Sequence, residues 1–372
     1  MVRRDDTLTG GHGARPVGIV AGFALKTARR TASMTQEQLA EMLRVDVSTI
    51  QGWESGRRPL AAAAAGDVMG VCRLLARAAA PVTIAGHIHQ AIAADLILTC
   101  GVRISGELAE LDQHPLASTV LRRTAANLVA LPLISSWPRG IAHVVNAQGK
   151  PVASPPQLPL GDRLRFFDHL MVITERAADT GEWLLRRQAI YFLGFDSRPS
   201  TMDWIRTLHR RTTPKSIEMS DDLHGHLTSR SAAVSLATGG DSDRIQEFVD
   251  NLSGERAQLV NLNFWAHWIG ETSGEHADDS FMLKDSRSDW SGSRLLAHLV
   301  DRLDERAAHR PLNLRSLHTL VSYKSELFRN LPKDSVQKLG DTLDVLESSP
   351  LLTRAERDQV VGLLYAVRLA DS

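Results

Sequence analysis

Residues 25–59 read LKTARRTASMTQEQLAEMLRVDVSTIQGWESGRRP, and the fold of the front of the chain turns on them. Their pattern predicts three short helices. The first covers roughly 21–32. Thr35 opens the second, TQEQLAEML, with Gln38 three residues on. At that spacing a Thr hydroxyl and a Gln amide each satisfy the other's backbone N–H. Asp46 offers a carboxylate to the free N–H groups of the third, VSTIQGWE, which stops near Gly56. Leu39, Ala40, Leu43, Val45, Ile50 and Trp53 supply one apolar face. Ala40 is small, as two steeply crossing helices require at closest approach. A turn of three or four residues separates the second and third helices.

Working outward, residues 1–18 form a Gly-rich, charged arm, and 19–80 form the first domain. Residues 61–80, AAAAAGDVMGVCRLLARAAA, read as one Ala/Leu-rich helix that Pro81 ends. Residues 84–100 and 115–133 are apolar-rich and of helical length. Residues 145–161, VNAQGKPVASPPQLPLG, gather Pro and Gly and read as a long loop or inter-lobe linker. Helical patterns resume at about 162–179, 181–194, 222–237, 242–252 and 256–270, and a polar loop spans about 271–292. The last 80 residues repeat the i, i+3, i+4, i+7 spacing most clearly. Leu296, Leu299, Val300 and Leu303 carry it, then Val336, Leu339, Leu343 and Leu346, then Val360, Leu363, Leu364 and Val367. Thr353 and Glu356 form a capping box for the last helix. Alternating strand patterns are scarce, so the expected fold is all-α. Residues 81–372 would be a large array of helical hairpins, in one piece or in two lobes split near 145–161. No fixed-period signature marks a tetratricopeptide-like solenoid, which stays open as the form of that array.

Composition sets bounds on the rest. The 372 residues are 43% hydrophobic and 23% charged, which suits a soluble globular chain with a sizeable core. Cys72 and Cys100 cannot build a disulfide framework or a four-Cys zinc site. No run of about 18 apolar residues predicts a membrane span, and the polar start lacks a signal-peptide core. A cytoplasmic, nucleoid-associated protein is expected, with no membrane partner. Formal net charge is zero, which argues against a polyelectrolyte that coats nucleic acid. The charge is uneven, however. Residues 1–80 hold 11 Lys/Arg against 7 Asp/Glu, and the remainder holds 32 against 36. A mildly basic front on a mildly acidic body fits a small DNA-reading module on a larger domain.

The spaced positions of the quoted stretch resemble the Xre/Cro/phage-repressor family of helix-turn-helix proteins. The matching residues are Arg29, Thr35-Gln36, Leu39-Ala40, Ile50, Glu54 and Gly56. Ser33 and Arg44 depart from the pattern, standing at turn positions where the family usually has Gly. The resemblance covers about 40 residues and implies a double-stranded DNA partner. It places the third helix in the major groove, with Val47, Ser48, Thr49 and Gln51 facing base edges. Gln51 suits adenine, Ser48 and Thr49 suit several edges, and Val47 with the Thr49 methyl suits thymine methyl groups. Gln36 corresponds to a phosphate-gripping residue, while Arg57 and Arg58 would meet phosphates after the third helix. Arg29 and Glu54 correspond to an internal structural ion pair, and Trp53 belongs to the core.

The functional expectation is a sequence-specific transcriptional regulator. It would read an inverted repeat as a homodimer, and its helical body would dimerise or sense a small-molecule, peptide or protein effector. The rival expectation is a helical protein-interaction scaffold that DNA binding only tethers. HExxH, GxSxG, GxGxxG and a P-loop are absent, so no enzyme and no cofactor are expected. His87-Ile-His89 and His224-Gly-His226 lack metal-ligand spacing and read as surface histidines, leaving no expected metal. Phe264, Trp265 and Trp268 read as core rather than as a ligand pocket.

Overall fold

A computed structural model describes residues 17–77, 87–103, 111–134, 154–212 and 223–371, apart from 253, 273–275, 277, 286–288, 305–306 and 325. Most of the arm, the stop at Pro81 and much of the 145–161 stretch lie outside these residues. Among the described residues every regular element is helical and there is no strand, so the chain is all-α. By its contacts it divides into two compact units. One comprises residues 1–115 and 124–169, the other 116–123 and 170–372.

The first unit opens with α1 (Ile19–Thr31), α2 (Gln36–Leu43), α3 (Val47–Glu54) and α4 (Ala65–Arg77). It continues with α5 (Ile88–Arg103) and α6 (Arg123–Ile134) and takes in the first half of α7 (Leu160–Thr180). The division therefore falls inside α7, after His169, whereas the sequence pattern sets a domain boundary at 80 and a lobe boundary near 145–161.

A buried carboxylate explains why the unit runs past residue 80. The N-terminus of α1 has Gly18 at its cap and no side chain of its own to satisfy the free N–H groups. Asp95, on α5, supplies that cap from 75 residues away. Its Oδ1 accepts from Val20 N at 3.0 Å and its Oδ2 from Ala21 N at 2.9 Å. One turn further along α5, Thr99 Oγ1 accepts from Val17 N at 2.8 Å. Asp95 is 1% exposed. Burial pushes its carboxyl up to about 6, against the two N–H groups, which pull it down.

The second unit continues from α7 with α8 (Trp183–Leu193), α9 (Pro199–Thr212), α10 (Leu223–Thr238), α11 (Asp243–Asp250) and α12 (Glu255–Trp268). It ends in α13 (Ser293–Val300), α14 (Arg310–Tyr323), α15 (Lys333–Glu347) and α16 (Arg354–Asp371). The sequence pattern does not predict α9, because PSTMDWIRTLHRRT carries only a short apolar stripe, with Met202 and Ile205 buried, among charged residues. Helix α10 lies close against α8, where Ser235 Oγ donates to Ile190 O at 2.8 Å and a Cβ on Gly194 would meet Ser235 at 2.8 Å. The twelve apolar residues predicted for the last 80 positions are all buried in one cluster with Leu314, Leu317 and Leu320 of α14. The capping box forms as expected. Thr353 N donates to Glu356 Oε2 at 2.9 Å, and Glu356 N donates to Thr353 Oγ1 at 3.2 Å. Glu356 also takes a two-pronged ion pair from Arg310 at 3.0 and 3.2 Å, which joins α14 to α16.

Asp95 makes stability depend on pH in a definite direction. Its folded carboxyl holds a proton more tightly than the unfolded one, so the contribution is complete below about pH 4 and is lost as pH rises through about 6. Asp95→Asn should flatten that part of the stability-against-pH curve in urea unfolding. Asp95→Ala leaves two buried N–H groups without an acceptor and should cost about 2–4 kcal/mol below about pH 4, less as pH rises through about 6.

Candidate nucleic-acid interface

Helices α1 to α3 form where local chemistry starts and stops them. Thr35 Oγ1 accepts from Gln38 N at 3.1 Å and Gln38 Oε1 accepts from Thr35 N at 2.8 Å, closing the expected capping box. Asp46 Oδ1 accepts from Ser48 N at 2.7 Å and starts α3. These Ser48 hydrogen bonds hold the Asp46 carboxyl below its usual range. Ser33 and Arg44 both adopt φ of 56°, the left-handed conformation that glycine would take without strain. The two departures from the family pattern thus fall on the two turns that demand it.

Close packing of α1 on α3 depends on Gly22. A Cβ there would lie 2.3 Å from the Trp53 carbonyl oxygen, so only glycine lets the backbones approach this far. Leu39, Ala40, Ile50 and Trp53 are buried as expected. Leu43 and Val45 are only half-buried.

Behind α3 lies one buried polar cluster. Arg29 Nε donates to Glu54 Oε1 at 2.5 Å and Arg29 Nη2 donates to Oε2 at 3.0 Å. Arg29 Nη1 also donates to Met34 O at 2.6 Å, tying down the α1–α2 turn. The expected ion pair is therefore present. Gln36 is expected on a phosphate, but in this structure its Nε2 donates to Glu54 Oε2 at 2.7 Å. It is a half-buried third member of the cluster and keeps one amide hydrogen for an outside acceptor.

With Ile50, Trp53 and Glu54 turned inward, α3 turns Ser48, Gln51 and Ser55 outward. Val47 and Thr49 are half-buried at its start. Arg57 and Arg58 are both exposed. Arg58 lies back across Gly52, where a Cβ would meet its Cδ at 3.0 Å, and its Nη1 donates to Thr49 Oγ1 at 3.3 Å. The Thr49 hydroxyl is thus already engaged, and the Arg58 guanidinium sits beside the reading face rather than beyond it. Arg44 adds an exposed cation in the α2–α3 turn, where the sequence shows only a strained turn residue. It stands on the left-handed backbone of that turn.

Of the histidines expected at the surface, His89 and His224 are exposed, whereas His87 is half-buried and His226 is buried. His226 is 5% exposed and packs its ring on Phe248, 5.2 Å between centroids. His224 stacks on Trp183, and His89 is exposed with its Nε2 3.6 Å from Cys72 Sγ. Phe264, Trp265 and Trp268 are partly buried rather than fully core. Phe264 stacks on Trp268 with centroids 5.9 Å apart, and the Arg230 guanidinium lies 4.0 Å from the centre of Phe264.

Residues 25–65 match the family model described as Helix-turn-helix, HTH_3. The N-terminal segment is therefore an Xre/Cro-type helix-turn-helix, a DNA-binding module of a regulator. No curated protein and no solved structure matches the chain. Among the described residues no helix is long and apolar enough to cross a membrane.

Relieving the left-handed strain tests the turn assignment. Ser33→Gly should raise stability by about 0.5–1 kcal/mol, read as a higher urea midpoint with an unchanged slope, because a side chain at positive φ costs about 1–2 kcal/mol and glycine's unfolded-state freedom returns part of that.

Proposed function

We propose that the protein is a sequence-specific transcriptional regulator that reads an inverted-repeat operator as a homodimer. The observation that carries this reading is the outward pair Ser48 and Gln51 on a helix braced from behind by Ile50, Trp53 and the Arg29–Glu54–Gln36 cluster. A braced helix holds its readers at fixed positions, which bidentate base contact needs. Gln51 reads a base edge, Ser48 adds a second, and Val47 with the Thr49 methyl supplies apolar contact. Arg57, Arg44 and the free amide hydrogen of Gln36 take phosphates, and Arg58 takes a phosphate when it releases Thr49. The reading includes no catalytic step and no cofactor.

The dimer follows from the number of contacts, since one such helix covers one half-site and the usual solution pairs two copies about one DNA turn apart. An exposed apolar ridge supports a second copy as the partner. Val361, Tyr365 and Leu369 on α16 are 50%, 64% and 59% exposed, at the i, i+4, i+8 positions of one helical face. The helical body would then dimerise the protein and receive a small-molecule, peptide or protein effector. The same ridge also fits the rival reading, a scaffold that docks other proteins while DNA only tethers it.

Selection of genomic fragments by the purified protein at about 150 mM salt separates these readings, because non-specific binding is weak and salt-sensitive there. Wild type should enrich an inverted repeat. Ser48→Ala/Gln51→Ala should lose the motif, with each base contact worth about 1–3 kcal/mol of discrimination. Arg57→Ala should keep the motif, weaken binding to all sequences alike, and lower the salt slope by about one. A motif that survives Ser48→Ala/Gln51→Ala sinks the assignment of α3 as reader.

Light scattering addresses the partner. Tyr365→Glu/Leu369→Glu should convert a dimer to a monomer without loss of helical signal. A wild-type monomer that still enriches an inverted repeat contradicts the ridge as dimer surface.

A further inference from the structure

Outside the helix-turn-helix, the first unit gathers three metal-ligating side chains that lie far apart in sequence. Cys100 sits on α5, His114 on the short segment that follows it, and His169 on α7. Their ligand atoms all lie within 4.8 Å of one another. The Nε2 atoms of His114 and His169 are 3.0 Å apart, and Cys100 Sγ is 3.8 Å from His114 Nε2. The two imidazoles stack at 5.2 Å and bring the same nitrogen of each ring together.

The packing brings this about in a specific way. Gly101 faces Phe166 so closely that a Cβ would lie 2.4 Å from its ring, and 3.4 Å from the His169 ring. The missing side chain lets α7 settle against α5, and His169 arrives beside Cys100. Both histidines are buried while Cys100 is half-buried, so among the described residues the cysteine is the most accessible of the three.

We propose that Cys100, His114 and His169 bind one transition-metal ion of the zinc class, with a fourth position open to water or another donor. Zinc bonds of about 2.0–2.1 Å to nitrogen and about 2.3 Å to sulfur imply tetrahedral edges of about 3.3 Å between nitrogens and about 3.6 Å between nitrogen and sulfur. The observed 3.0 and 3.8 Å lie on either side of those edges. One thiolate with two imidazoles is also a donor set that prefers zinc to calcium or magnesium. Each neutral imidazole carries one N–H and one lone pair, so each ring has one nitrogen to offer a metal. A dication at this point would supply the charge that a half-buried thiolate needs. On binding, the Cys100 S–H proton leaves to solvent, and the histidine whose Nε2 donates to the other shifts that proton to its Nδ1, so that both Nε2 lone pairs reach the metal.

Histidines that neighbour one another in sequence do not mark this site. The ligands here are separated by 14 and 55 residues, so only the approach of α7 to α5 reveals them. The site is also one residue from Thr99 and five from Asp95, which hold the start of α1.

Cobalt titration of the full chain, reduced and stripped with a chelator, tests the proposal without reference to DNA. Wild type should bind one Co²⁺ per chain, with a thiolate-to-metal charge-transfer band and the visible bands of tetrahedral cobalt, and equimolar Zn²⁺ should erase both. Cys100→Ser should lose the charge-transfer band. His169→Gln should lose stoichiometric binding. Cys72→Ser should leave the spectrum unchanged, which separates this thiol from the one beside His89. The half-buried Cys100→Ser exchange is nearly isosteric, so an unchanged circular dichroism spectrum shows that its loss of the band is not unfolding. A wild-type protein with no charge-transfer band, or a band that survives Cys100→Ser, overturns the proposal and leaves the three side chains as a hydrogen-bonded cluster.

Discussion

Everything at the DNA-reading end depends on one buried carboxylate. Glu54 closes α3, and it receives two hydrogen bonds from Arg29 of α1 and one from Gln36 of α2. Three helices of 13, 8 and 8 residues meet on that single group. Helices this short are marginal alone, so their geometry must come from tertiary contacts. A buried ion pair adds little net stability compared with an apolar replacement, but removing one partner strands the other charge at a cost of about 3–5 kcal/mol. Such a cluster therefore fixes an arrangement more than it strengthens one. What it fixes is the angle at which Ser48 and Gln51 leave the surface.

A second buried carboxylate extends that order beyond the three helices. Asp95 caps α1 from α5, with Thr99 beside it, so the recognition module does not end where its motif ends. A free N–H at a helix start needs an acceptor, and Gly18 has none to offer. The acceptor comes from a helix that a domain boundary at 80 would cut away. The unit that carries the helix-turn-helix accordingly comprises residues 1–115 and 124–169. Cys100 and His169 belong to the same packing of α5 and α7, so the proposed metal site and the cap on α1 share one helix.

The helices whose apolar residues recur at strict spacing are legible in the amino-acid sequence. Leu296, Val336, Leu343 and Val360 and their partners need only the 3.6-residue period to declare a buried face, and all are buried. Helix α9 is not legible, because its stripe is short and its surface charged. The cluster of Cys100, His114 and His169 is not legible for another reason. Spacing along the chain says whether ligands can share a helix turn, but says nothing about residues brought together by two different helices.

By itself the sequence determined the local events, namely the Thr35–Gln38 box, the Asp46 cap, the turns at Ser33 and Arg44 and the apolar stripes. Each depends on residues within one or two helical turns, whose chemistry acts whatever lies beyond them. Only the tertiary structure decided which groups ended as partners across long separations. Gln36 went to Glu54, Arg58 to Thr49, Asp95 to the start of α1, and His169 to His114. Those pairings rest on close approach, and glycines at 22 and 101 permit it where a single methyl group would have kept the helices apart.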